Sequence, residues 1–148
     1  QPMKESSYDP EQFIGYLLAS TRKQLVGRLN RTLVSESSDI TFEQWTVMMR
    51  LWKRDGISQQ ELAICCDRDK TTLTRLLDNL EKQHYIRRVE DTSDRRNKLI
   101  YLSEKGENLR NKLWPLALEV EAEAQQGLSD EELSTFKMVL EKIRKNLS

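Results

Sequence analysis

A chain of 148 residues suits one domain, or one domain with appended helices, and is long enough to bury a core. With 37% apolar and 32% charged residues, and only 5 Gly and 3 Pro, it leans helical and not disordered. It has no net charge and no apolar run of about 18 residues, so no membrane span or membrane partner is expected and a soluble, cytoplasmic protein is.

Residues 11–34 read as one long helix. Ile14, Leu18, Leu25, Leu29 and Leu33 share a face, with Phe13, Leu17 and Val26 beside it. So wide an apolar surface calls for two partners. After a loop over 35–41, TFEQ (41–44) forms a capping box: the Thr41 hydroxyl accepts from the fourth residue's N–H and Gln44 reaches back. The helix it opens carries Trp45, Met48, Met49 and Trp52 at i, i+3, i+4 and i+7, and Gly56 supplies a left-handed exit. SQQE (58–61) is a second capping box, opening a short helix with Leu62, Ala63 and Cys66 on its apolar side.

Asp69 is a good N-cap for the next helix. Leu73, Leu76, Leu77 and Leu80 form its apolar face, and Lys70, Thr71, Thr74, Arg75 and Asp78 its polar one. YIRRVE and KLIYL are two β-type runs around the turn DTSDRRN. Ser103 then caps a helix from 104 to about 126, in which Pro115 predicts a kink. LSDEE (128–132) signals the last helix, whose Leu133, Phe136, Leu140, Ile143 and Leu147 make a short coiled-coil-like seam. The central order, helix–helix–helix–hairpin, is that of a winged helix, mainly α with an antiparallel wing, and its middle pair is a helix-turn-helix.

In such a pair the second helix enters the major groove of DNA by its N-terminal residues, here Lys70, Thr71, Thr72, Thr74 and Arg75. Thr and Arg are suited to base edges, Lys and Arg to phosphates. A hairpin beside that helix reaches the adjacent minor groove, where Arg is the side chain that inserts. Asp94, Arg95 and Arg96 crowd its tip, and Asp94 is placed to brace Arg96. The charge pattern agrees: residues 67–103 hold nine Lys/Arg against seven Asp/Glu, and residues 104–148 the reverse bias of seven against nine.

Asp94-x-Arg96 followed after five residues by Leu102-Ser103 resembles the D-x-R-x5-L-T wing signature of the MarR family of bacterial transcriptional regulators. LTRLLDNLEKQHYIRR resembles that family's recognition helix leading into its wing, and LSEKG its entry to the fifth helix, so the likeness runs over about 11–147. Two positions depart from the pattern. Ser103 stands for the usual Thr and keeps the capping hydroxyl. His84 stands where Gly commonly ends the helix and is expected to take the left-handed conformation.

The resemblance implies a single MarR-type domain over 1–148, with a winged helix at 41–103 and dimerisation helices at 11–34 and 104–147. It also implies a homodimer on a pseudo-palindromic double-stranded DNA operator, usually a repressor, released by a small phenolic or aromatic effector or by cysteine oxidation.

Bland readings stand beside these. An isolated DRR is usually a solvated tip, and only the helix-turn-helix before it reverses that. Trp45, Met48, Met49 and Trp52 are first of all core. The same residues are also suited to the wall of a small-molecule cavity, facing Phe13, Tyr16 and Leu17, with Arg22 as the cation for an anionic ligand. The adjacent Cys65 and Cys66 are expected to be buried and inert. No catalytic constellation, metal-ligand spacing or cofactor motif is visible, so no enzymatic activity and no cofactor are expected. The rival function is a winged-helix protein–protein module without DNA binding. That module would show apolar residues on the exposed face of 70–83, where this chain shows Lys, Thr and Arg.

Overall fold

The computed structural model describes residues 9–36 and 39–148. A 3-10 turn, Pro10–Gln12, capped by the Asp9 carboxylate, comes first, and Phe13 is extended at φ −67° and ψ 138°. The long helix α1 therefore spans Ile14–Ser35, starting three residues later than its apolar spacing predicts. Then follow α2 (Phe42–Lys53), β1 (Ile57–Ser58), α3 (Gln59–Cys66), α4 (Lys70–Lys82), β2 (Ile86–Glu90), β3 (Lys98–Leu102), α5 (Glu104–Ala124) and α6 (Asp130–Leu147). Residues 37 and 38 of the expected loop lie outside the described residues.

The capping chemistry accounts for most boundaries. Thr41 and Gln44 close the box on α2 from both sides, as Ser129 and Glu132 do on α6. Ser58, Asp69 and Ser103 accept from backbone N–H groups at the starts of α3, α4 and α5. The second motif is half a box: the Ser58 hydroxyl accepts from Glu61 N–H, and Glu61 turns instead to Arg54. Gly56 takes φ 72°, and a Cβ there would stand 3.0 Å from the Tyr101 ring. His84 takes φ 67°, as expected of it. Helix α5 runs without interruption through Pro115, and both Pro115 and Asn111, whose carbonyl loses a helical donor to the ring, face solvent.

The sheet is antiparallel with order β1-β3-β2. The hairpin register pairs Ile86 with Leu102 and Glu90 with Lys98, and β1 joins by Ile57 opposite Ile100. Strand β1 is an element that the sequence pattern misses, since two residues carry no periodicity. The core gathers Leu33, Val47, Met48, Leu51 and Leu62 with Leu73, Leu77, Leu80, Ile100 and Leu113. Each such side chain stabilises by about 1.5–3 kcal/mol against exposure. This core holds α4 and the β2–β3 hairpin against α2 and α5, which fixes recognition helix and wing in one unit. No helix among the described residues is long and apolar enough to cross a membrane.

Candidate functional site

Helix α4 turns its four leucines inward, where all are buried. Asp67 at φ 51° makes the left-handed exit from α3. The Asp69 carboxylate then accepts from Thr72 N–H at 2.7 Å, which holds its acidity above that of an ordinary aspartate and fixes the start of α4. The opposite face is polar and open. Lys70, Thr71 and Arg75 are exposed, and Thr72 and Thr74 half-buried.

Thr74 is more committed than its sequence position reveals. Its hydroxyl donates to Lys70 C=O at 2.8 Å and accepts from Gln59 Nε2 at 2.8 Å, leaving the methyl and one lone pair for an outside contact. Arg75 leans on Glu43 of α2, with Nη2 3.5 Å from Oε2. Asp78, Asn79 and Lys82 share the shallow outer surface with Lys70, Thr71, Thr74 and Arg75. Asp78, Asn79 and Lys82 of this surface are not among the DNA-contacting residues expected from the sequence, and for Asn79 and Lys82 the spacing was there to be seen. Asn79 and Lys82 continue the i+4 and i+7 spacing from Arg75.

The wing carries its arginines at the tip. The turn is built by Asp91 N–H to Asn97 C=O at 3.0 Å and Asn97 N–H to Asp94 C=O at 3.0 Å. The Asp94 carboxylate accepts from Arg96 N–H at 3.1 Å and lies 3.6 Å from Arg96 Nε. Asp94 and Arg96 thus meet in the turn, while the Arg96 side chain, 94% exposed, projects from it. Arg95 is exposed beside it.

Wing and recognition helix are clamped together. Arg88 of β2 reaches Asp78 Oδ1 at 2.6 Å and Glu81 Oε1 at 2.9 Å through its Nη2, and Glu81 also accepts from Arg88 N–H at 3.3 Å. The guanidinium holds the Glu81 carboxyl below its ordinary pKa, and Glu81 in turn raises that of Arg88.

A separate cavity of about 470 Å³ opens between α1, α2 and α5. Phe42, Trp45 and Met49 line it from α2, Leu25 and Leu29 from α1, and Trp114 and Leu118 from α5. Arg22 is at its edge, with its guanidinium carbon 5.7 Å from the Phe42 ring centroid. Trp45 stacks on Trp114 at 6.3 Å. Three of the eight candidate pocket residues, Arg22, Trp45 and Met49, therefore line this cavity. Met48 does not, being wholly buried in the core. Trp52 is turned away, donating from Nε1 to Gly106 C=O at 2.9 Å, and faces a neighbouring cleft with Arg50, Lys53 and Arg110. Phe13, Tyr16 and Leu17 are exposed on the first turn of α1 or just before it and line neither space. Trp114, contributed from a distant helix, has no mark in the sequence that ties it to α2.

The cysteines divide. Cys66 is half-buried, its thiol 3.9 Å from Thr46 C=O, and burial pushes its pKa up. Cys65 is exposed, contrary to the buried state expected of both, because two adjacent helical residues point about 100° apart.

Residues 40–98 match the family model described as MarR family. The uncharacterised HTH-type transcriptional regulator YybA of Bacillus subtilis is 32% identical over 133 residues, covering 82% of this chain and 85% of its own. The HTH-type transcriptional regulator TtmR of Methylorubrum extorquens is 36% identical over 87 residues, 59% of this chain, which spans only 44% of that relative's length. Among solved structures, the complex of S. aureus MepR with DNA superposes with a TM-score of 0.83 at 29% identity, over 90% of this chain and 98% of that one.

Proposed function

The chain belongs to the MarR family of transcriptional regulators, whose members are not enzymes, and from that premise we propose that it is a repressor that binds a pseudo-palindromic operator as a homodimer. Helix α4 lies in the major groove with Lys70, Thr71, Arg75, Asn79 and Lys82 toward it, and the wing enters the adjacent minor groove with Arg95 and Arg96. The observation that carries this reading is the arginine-tipped wing locked beside the polar face of α4 by Arg88. The DNA-bound state of the MepR structure supports it. A protein-docking winged helix is disfavoured by the same surface, which exposes Lys, Thr, Arg and Asn and no large apolar side chain on α4.

Release is by a small amphipathic aromatic compound in the cavity between α1, α2 and α5. Its apolar wall with a single cation, Arg22, and a single carboxylate, Glu121, suits such a ligand. The ligand lowers DNA affinity only if it binds the DNA-free dimer more tightly than the DNA-bound one, and a coupling of about 1–3 kcal/mol corresponds to roughly 5–150-fold weaker binding. The test is a gel shift with the DNA flanking its own gene, repeated with a panel of phenolic acids while tryptophan fluorescence is followed. Saturable, salt-dependent binding that a quenching compound weakens is the expected result. Equal affinity for flanking and scrambled DNA would refute the reading.

A further inference from the structure

The charged side chains on the outer surface of α4 are hydrogen-bond donors with one exception. Lys70, Arg75 and Lys82 only donate, and Asp78 alone only accepts. It lies on the same ridge, three residues after Arg75 and four before Lys82, so it faces the same groove as they do. A bare carboxylate on a DNA-facing helix would be repelled by phosphates. Here the half-buried Arg88, 20% exposed, comes from behind and binds Asp78 Oδ1 at 2.6 Å. Arg88 offsets that charge only in part, since it is shared with Glu81, and the other oxygen, Oδ2, is left for an outside donor on a side chain 48% exposed.

We infer that Asp78, oriented by Arg88 and with its charge partly offset by it, is a specificity-determining residue that accepts a hydrogen bond from the exocyclic amino group of a cytosine or adenine in the operator. This rests on the DNA-binding reading above. In the major groove only the cytosine N4 and adenine N6 amino groups donate, whereas guanine and thymine offer keto acceptors that a carboxylate repels. Of the rest of that surface, Lys70, Arg75 and Lys82 cannot accept, and Thr71, Thr74 and Asn79 both donate and accept, so Asp78 is the side chain there that accepts from an amino group and cannot donate to a keto oxygen. Arg88 acts as a positioning residue: it fixes which carboxylate oxygen is left over. Glu81 shares Arg88 but is not part of the groove-facing surface, so it serves as an internal control.

The chemistry sets a test with a sign. In Asp78→Asn, Arg88 is a donor only and takes the amide oxygen, which turns the NH2 group toward the groove. Preference at one base position per half-site should then switch from an amino-bearing to a keto-bearing base. Asp78→Ala should lose preference at that position alone, by about 5–30-fold, the size of a hydrogen-bonded base contact. The experiment selects bound sequences from a randomised operator pool with the full chain and its D78N, D78A and E81Q variants. The inference is overturned if D78A or D78N keeps the parent's preference at every position, or if E81Q relaxes the same position as much as D78A. A parent that selects no sequence at all would refute both this inference and the DNA-binding reading, which separates the two failures.

Discussion

Arg96 and Arg75 are both exposed arginines with a carboxylate nearby, yet their surroundings give them different work. Arg96 projects from a turn that Asp94 closes, on the wing and not on α4, the helix that the proposed docking sets in the major groove. Arg96→Ala should therefore weaken binding to all DNA sequences alike, and flatten the salt dependence by about one unit per lost contact, doubled in a dimer. Arg75 rises from α4 itself, and Arg75→Ala should instead reduce discrimination between operator and mutated operator. Titrations of both variants at several salt concentrations check this, and an unchanged parent-like profile in both would remove the docking geometry. The cysteines give a second residue-scale contrast. The exposed Cys65 should react with a thiol reagent quickly in the native protein, and Cys66 slowly, because burial raises its pKa and leaves little thiolate. Peptide mapping after brief alkylation reads the order, and Cys66→Ser is expected to leave any response to mild peroxide unchanged.

At the scale of elements, the junction between sheet and α5 is closely packed. Tyr85 C=O accepts from Ser103 N–H at 3.0 Å, and a Cβ on Gly106 would stand 2.1 Å from that carbonyl oxygen. Gly106 C=O also accepts the Trp52 indole N–H. Gly106→Ala must push α5 away from the wing base and from α2 at once. A loss of about 1–3 kcal/mol, the usual cost of overpacking, is expected in urea unfolding. Ala at the open Gly15, where nothing lies within 4 Å, should be neutral or slightly stabilising. Equal midpoints for the two variants would show that α5 is not seated on Tyr85.

The whole molecule leaves large apolar surface uncovered. Ile14, Tyr16, Leu17 and Leu18 of α1 are exposed, as are Phe136, Met138, Val139 and Leu147 of α6, and α6 buries no residue of its own. Two helices with bare apolar faces fit a second copy of the chain, as the proposed homodimer requires. Sedimentation equilibrium at micromolar concentration should give twice 17.4 kDa. Substituting Phe136 and Val139 by Glu should give a monomer with much weaker operator binding. In the dimer the two α4 helices should stand roughly 34–36 Å apart, one turn of DNA.

What the sequence determined by itself was local. Helix starts were legible because a capping residue and its N–H target lie within three or four positions, as with Thr41–Gln44 and Ser129–Glu132. The inner leucines of α4 and the wing strands were legible for the same reason, since periodicity is a local property. What only the tertiary structure decided joins residues far apart in the chain. Arg88 finds Asp78 and Glu81 across a loop, Gln59 engages Thr74, and Trp114 stacks on Trp45 from a helix that begins sixty residues later. The cavity shows the difference most plainly. Two of the three residues of its α2 wall were visible, Trp45 and Met49, but Met48 one position away is wholly buried, and Phe13, Tyr16 and Leu17 never reach it. Helical spacing says that residues share a face, while only packing against α1 and α5 settles which part of that face is core and which part is wall.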